Sequence, residues 1–446
     1  MKRKLLALAL VFALALTACA PSASVPADDS STPAGSNPTP AKRPLFGRSV
    51  KPAAEPDYPK GITFDDYEGN WENRQQNPVG DDVWASMSDF SAVSAALALG
   101  GTEENALYSP VSLWFALTIC AESAQGETRT ALLDALGLPE DADLGTLTKA
   151  VYHRLYQDNE IGALKLANSL WVNESFPVKQ DFLNLAAENF YAHSYHCDFS
   201  DPATGEAMGD WLDEATGGLL GGQTLETDPQ TLMALFSAIY YSDQWTDEFK
   251  KENNTTDDFH NADGTVSQTE YMNRTYFSHG WKYGDGWISS DLGLKNGGSM
   301  HFVLPDEGVT PGDLLADPDT MAEIFAQDGE VGWGEVVFQI PKFEVSDELD
   351  LKPVLEGLGA GIVFDYEQAD FSNLSEAALG LSSVKQETTL SIDEKGVTAA
   401  AFTVIDRCGA AMPPQERITF TLDRPFLFYI ESQDGLPLFA GIVNEP

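Results

Sequence analysis

Residues able to hold a metal or attack a bond crowd together at one place, His193, His196 and Cys197. A protein-closed metal site takes about four ligands, commonly as two spaced pairs. The second pair is missing here, and no His-Glu-x-x-His helix is present, so local packing is the expected role and no metal is implied. None of the six histidines sits in a catalytic motif, and no Gly-x-Ser-x-Gly elbow occurs. Gly217-Gly218-Leu219-Leu220-Gly221-Gly222 has the glycines of a phosphate loop but lacks the Lys-Ser/Thr that grips phosphate, and reads as a turn. With 69 Asp and Glu, a carboxylate pair is expected by chance and points nowhere. These residues predict neither an enzyme nor a cofactor.

The ends suggest export. Lys2, Arg3 and Lys4 precede an apolar run, Leu5 to Leu16, too short to span a bilayer. Leu16-Thr17-Ala18-Cys19 follows and resembles the bacterial lipobox, in which the cysteine is lipidated. Ala20 to Pro59, rich in Pro, Ser, Ala and Thr, lacks the apolar surface to offset its ordering entropy. The expected organisation is a signal peptide over 1–18, a lipidated Cys19 with a disordered tether over 19–80, and one domain over 81–446. The expected location is the cell surface, on the bacterial membrane through the lipid. Of the net charge of −43, residues 1–80 contribute +1, which leaves −44 for the domain. Such a field repels nucleic acid and anionic glycosaminoglycans, and no basic patch offsets it. Cys120, Cys197 and Cys408 make no disulfide framework.

Helices are expected early: Val83 to Leu99, a second capped by Ser109 with Pro110 at its first position, and Thr128 to Leu136. Asp181 to Phe190 and Asp350 to Leu358 also read as helices. Strands dominate later: Ala163 to Asn173, Leu232 to Tyr241, Met300 to Leu304, Glu335 to Val345 interrupted by Pro341, Ser383 to Ile392, and three near the C-terminus from Ile418, Phe426 and Leu438. The fold class is α+β. Between the last long strand and its terminal partners lies Glu394-Lys395-Gly396-Val397-Thr398-Ala399-Ala400-Ala401. Its small residues let an exposed loop enter a packed sheet without steric penalty. Val397, Ala399 and Ala401 share one face in an extended chain.

Taken in order, the motifs of residues 83 to 446 resemble those of the serpins, the serine protease inhibitor superfamily. Asn105-x-x-x-Ser109-Pro110-Val111-Ser112 is similar to the helix start at the family's shutter, and Ala124-x-Gly126-x-Thr128 follows. Asn168-Ser169-Leu170-Trp171-Val172, Trp211 with Thr216 and Gly218, Ala238-Ile239-Tyr240-Tyr241 with Trp245 and Phe249, and Ile340-Pro341-Lys342-Phe343 resemble the next signatures. Phe420 to Ile430, with Asp423-Arg424-Pro425-Phe426, resembles the C-terminal one.

The resemblance implies three β-sheets, about nine helices and an exposed reactive-centre loop. It also implies suicide inhibition, in which a protease acylates itself on the loop and the cleaved loop inserts into the large sheet as a strand. Ser109 and Ser112 would belong to the shutter, Trp245 to the breach, and Glu394, Gly396, Val397 and Thr398 to Ala401 to the hinge. The family usually has the scissile residue sixteen positions after the hinge glutamate, which places the bond at Ala410–Ala411, with Arg407 a second candidate. Alanine there suits an elastase-like serine protease with a small pocket. A monomer is implied. A non-inhibitory or binding serpin and a cysteine-protease trap are the alternative readings. Two residues depart from the pattern: Gly209 and Gln386 stand where the family usually has an asparagine and a histidine that bond to each other.

Overall fold

The computed structural model describes residues 8–17, 50–215, 224–326, 329–381, 383–397 and 416–446. Ten α-helices occur among them. They are α1 (Tyr67–Gln76), α2 (Asp81–Leu99), α3 (Pro110–Ser123), α4 (Gly126–Ala135) and α5 (Leu144–Leu155), then α6 (Gln180–Phe190), α7 (Pro202–Ala215), α8 (Pro311–Leu315), α9 (Pro318–Ala326) and α10 (Lys352–Gly357). The strands in the first half are β1 (Leu8–Thr17), β2 (Val50–Ala54), β3 (Ala106–Tyr108), β4 (Gln157–Asp158), β5 (Ala163–Asn173), β6 (Ala192–Cys197) and β7 (Thr231–Gln244). β8 (Thr255–His260), β9 (Val266–Gly284), β10 (Trp287–Gly293), β11 (Gly298–Pro305), β12 (Glu330–Pro341) and β13 (Glu344–Asp350) follow. The chain closes with β14 (Ser383–Ser391), β15 (Gly396–Val397), β16 (Arg417–Thr421), β17 (Phe426–Ser432) and β18 (Pro437–Val443).

The first, large sheet runs β13-β14-β1-β7-β5-β6-β2, with β4 added to β5 and β15 to β7. The second runs β16-β12-β9-β10-β11-β17-β18-β3, with β8 added to β9. Its long strands β9 and β12 slip register at Gly334 and Val336, and this divides the sheet into two arms. One arm carries β8 and β16, the other β10, β11, β17, β18 and β3. The large sheet and these two arms match the three sheets that the sequence resemblance implies.

Helix α3 is the pivot of the core. The Ser109 hydroxyl caps it by accepting from the Ser112 N–H, and Pro110 takes the first turn, where no N–H is needed. Its residues from Pro110 to Ala121 are buried all round, which marks a helix enclosed on every side. The large sheet is covered on both faces around β5 and β7, and strand alternation shows it. Leu164, Leu166, Leu170 and Val172 of β5 join the main core. Ala167 and Trp171 pack instead with Tyr195 and with Met208, Trp211 and Leu212 of α7 on the opposite face.

Two expectations need adjustment. The run from Glu335 to Val345, expected with a break or bulge at Pro341, is fully divided there: β12 ends at Pro341 and β13 begins at Glu344. The expected tether over 19–80 is also too long. Val50–Ala54 pairs with β6 at the sheet edge, Val50 is buried, and Tyr58 stacks on Tyr191 with ring centroids 6.0 Å apart. Helix α1 follows, still within that segment. Composition over the window was dominated by its Pro/Ser-rich first half, which hid an ordered second half. Cys19 lies outside the described residues.

Candidate functional site

At one end of the large sheet, β7 leads directly into Trp245. This tryptophan is buried and its indole N–H donates to the Asp393 carbonyl at 2.8 Å. Its backbone N–H donates to the Lys395 carbonyl, and that of Phe249 to the Glu394 carbonyl, both at 2.8 Å. Residues 393–395 are thereby tied by three bonds to the segment after β7. The Glu394 carboxylate accepts from Lys342 at 2.6 Å and from Asn254 at 2.7 Å. Lys342 also reaches Glu270 at 3.1 Å. Burial pushes the Glu394 carboxyl up, but the bonds from Lys342, its own backbone and Asn254 outweigh it and leave it below the usual carboxylate range. Burial likewise opposes the Lys342 charge, and its two carboxylate partners more than restore it.

β15 begins two residues after Glu394. Gly396 pairs with Gln244 and Val397 with Asp243, while Val397 also bridges Ile392. A Cβ on Gly396 would stand 2.1 Å from the Asp243 carbonyl oxygen, so only glycine fits the close approach. Val397 is fully buried. The hinge therefore has its first turn of strand already in the sheet. Thr398, Ala399, Ala400 and Ala401, the bond Ala410–Ala411, and Phe402, Arg407 and Cys408 lie outside the described residues.

Below β15, the line between β7 and β14 is taken by β1, antiparallel to both. Ala9 stands opposite Tyr240 on β7 and Thr389 on β14, and the pairing runs on to Ala15, opposite Ala234 and Ser383. The large sheet thus contains a one-strand slot about seven residues deep between its central strands, and backbone from elsewhere in the chain satisfies both of its edges.

The shutter lies midway along this slot. Gln386 of β14 is fully buried. Its Oε1 accepts from the Ser109 N–H at 2.8 Å, and its Nε2 donates to the Ser109 carbonyl at 3.1 Å. The Ser109 hydroxyl donates to the Leu438 carbonyl at 2.7 Å. Ser112 Oγ lies 3.5 Å from Ser237 Oγ on β7. The departure seen in the sequence is therefore a substitution of partner. Gln386 clamps the start of α3 from both sides of one residue, and needs nothing from Gly209, which is buried in α7. Losing the amide would leave the buried Ser109 N–H unpaired at a cost of about 1–3 kcal/mol, while its C=O keeps the bond from the Leu113 N–H.

The sequence missed Asp243, which faces Val397 across the ladder. It is buried, and burial pushes its pKa up to about 7 despite bonds from the Gln244 and Asn296 N–H groups and the nearby Lys295. Nothing but its place in a long apolar strand could have revealed it. The other candidates are dispersed. His193 and Cys197 share one face of β6 and His196 the other, and no group of three His, Cys, Asp or Glu among the described residues is placed to hold a metal. Cys120 and Cys197 are free and buried, and burial raises both thiols to about 12.

Asp243 yields a prediction. A carboxyl near 3.9 when unfolded and about 7 when folded favours the folded state in acid. Its contribution is complete below about pH 4 and is lost as pH rises to about 7. Replacing it, Asp243→Asn, removes the loss. The stability difference between variant and wild type in urea melts should grow over that window, to a few kcal/mol at most, and then level off. A difference independent of pH would contradict the assignment.

Comparison with known proteins agrees with this geometry. The family model for Serpin (serine protease inhibitor) matches residues 88–446. Serpin-Z1C of Triticum aestivum is 30% identical, over 77% of this chain and 90% of its own. The alpha-1-antiproteinase of Rattus norvegicus is 27% identical, over 87% and 95%. Among solved structures, the native state of the thermophilic serpin tengpin superposes with a TM-score of 0.72 at 25% identity, over 88% of this chain and 98% of that one. The native stressed form of Arabidopsis AtSerpin1 shares the fold, with a TM-score of 0.70. With the breach, the shutter and a strand-wide slot in one sheet, and with these relatives spanning nearly their full lengths, the chain belongs to the serpin family.

Proposed function

We propose that this protein is an inhibitory serpin, exported and held on a bacterial membrane by a lipid at Cys19, that traps elastase-like serine proteases. One observation carries the reading. The pairing of Val397 with Asp243 and Ile392, extended by one residue per step, would set Ala400 between Tyr240 and Thr389. That is the position Ala9 of β1 occupies. The hinge and the slot are therefore in one continuous register. Signal-peptide removal after Ala18 would take β1 away and leave the slot to the loop.

The chemistry follows from this placement. The protease serine attacks the Ala410 carbonyl, the Ala411 amine leaves, and an ester joins the two proteins. Cleavage frees the loop to extend β15 down the slot. About ten new ladder bonds at roughly 1 kcal/mol each would drive it. Val397 is already buried, and period-2 alternation would put Ala399 and Ala401 on its face after insertion, where small side chains suit packing against the core. The strongly acidic domain favours encounter with basic proteases.

Incubating the chain from residue 20 onward with pancreatic elastase should give an SDS-stable complex and release a peptide beginning at Ala411. The Ala401→Arg variant should be cleaved without forming the complex, because a guanidinium would have to enter the core. Cleavage of the wild type without a complex would overturn the inhibitory reading. For the anchor, Cys19→Ser expressed in a bacterial host should move the protein from the detergent to the aqueous phase of a Triton X-114 partition. No change would refute lipidation.

A further inference from the structure

Away from the slot, between α5, α7 and the β5–β6 side of the large sheet, lies a cavity of about 410 Å³. Aromatic rings wall it: Tyr58, Tyr152, Tyr156, Tyr195, Trp211 and the imidazole of His193. The rings brace one another. His193 stacks parallel on Tyr195 with centroids 5.9 Å apart and meets Trp211 edge-on at 6.4 Å. Tyr58 lies 5.7 Å from His193 and 6.4 Å from Tyr152. Tyr152 is pinned by donating its hydroxyl to the Leu166 carbonyl at 2.6 Å. The charged groups at the opening are Glu55, Glu214 and Lys165, and Lys165 is already paired with Asp158 at 2.8 Å. The local balance is therefore negative. His193 Nδ1 is buried with no hydrogen-bond partner, a polar atom in the wall that an occupant could satisfy. Burial lowers the His193 pKa, against an opposing pull from Glu55.

We propose that this cavity is a binding site for a small organic cation, an aryl- or alkylammonium, held by the aromatic faces with Glu55 and Glu214 at the mouth. Ring quadrupoles attract a desolvated cation, and a space lined by several aromatic rings is the kind of setting that recognises quaternary ammonium groups. The volume lies in the range of small-molecule pockets. A cation gains attraction from the two carboxylates that a neutral apolar occupant does not, and an anion would be repelled by them.

The probe is benzyltrimethylammonium, titrated into the full chain and read by tryptophan fluorescence, since Trp211 lines the cavity and Trp171 lies 4.4 Å from the Tyr195 ring. Saturable binding is expected. It should weaken about threefold in each of Glu55→Gln and Glu214→Gln at low ionic strength, and more in the double variant. Both carboxylates are exposed, so neither change should disturb folding. The uncharged isostere neopentylbenzene should bind at least about tenfold more weakly. Equal binding of the isostere, affinity unchanged in the double variant, or no saturation would each overturn the proposal. None of these outcomes bears on protease trapping, which the loop experiment tests separately.

Discussion

Every backbone N–H and C=O along the inner edges of β7 and β14 must have a partner, and neither strand supplies the other's. The constraint is strict because α3 and the main core cover one face of both strands and α7 covers the other face at β7. Water is a poor substitute in such a place, and an open pair of edges costs about 1–3 kcal/mol for each orphaned group. A sheet built this way demands one more strand. Here β1 answers that demand. Under the proposed mechanism, cleavage of the loop would let the segment after Val397 take that place, because β15 starts in register with it.

The breach sets the boundary between what is inserted and what is not. Glu394, Lys342, Asn254 and Glu270 form a partly exposed polar knot, and the Trp245 indole ties the same loop from the buried side. These contacts stop the hinge from fraying outward. Asp243 acts in the opposite sense, since a carboxyl whose ionised form is disfavoured by burial weakens the closed arrangement as pH rises. A sheet that must open on demand tolerates such a group where a static one would exclude it. Lower down, Gln386 grips both backbone groups of Ser109 and keeps α3 aligned beneath the slot.

Much of this was legible in the chain. Ser109-Pro110, the apolar run of β7, and the small residues after Glu394 each carry a local physical requirement, and the structure uses the described ones as that requirement dictates. What stayed hidden depended on tertiary placement. The glutamine clamp could not be read from Gln386, because one amide satisfying one residue's N–H and C=O is a matter of orientation. β2 and α1 were masked by the Pro/Ser-rich segment before them. Strand β9 is polar and half-exposed over much of its length, with Glu270, Asn273, Arg274 and Lys282 among its residues, so no clean alternation announced it. The aromatic cavity draws on Tyr58, Tyr152, Tyr195 and Trp211, positions far apart in sequence that come together only once β5 and β6 pair in parallel.

The central claim is that the slot accepts the loop and that doing so releases stored stability. It is tested most directly by nicking the chain from residue 20 onward within residues 398–415 with a protease that leaves no complex, then comparing thermal midpoints of the nicked and intact forms. Insertion of about ten residues predicts a rise of roughly 10 °C or more in the nicked form. A nicked protein that melts at or below the intact one would contradict the account.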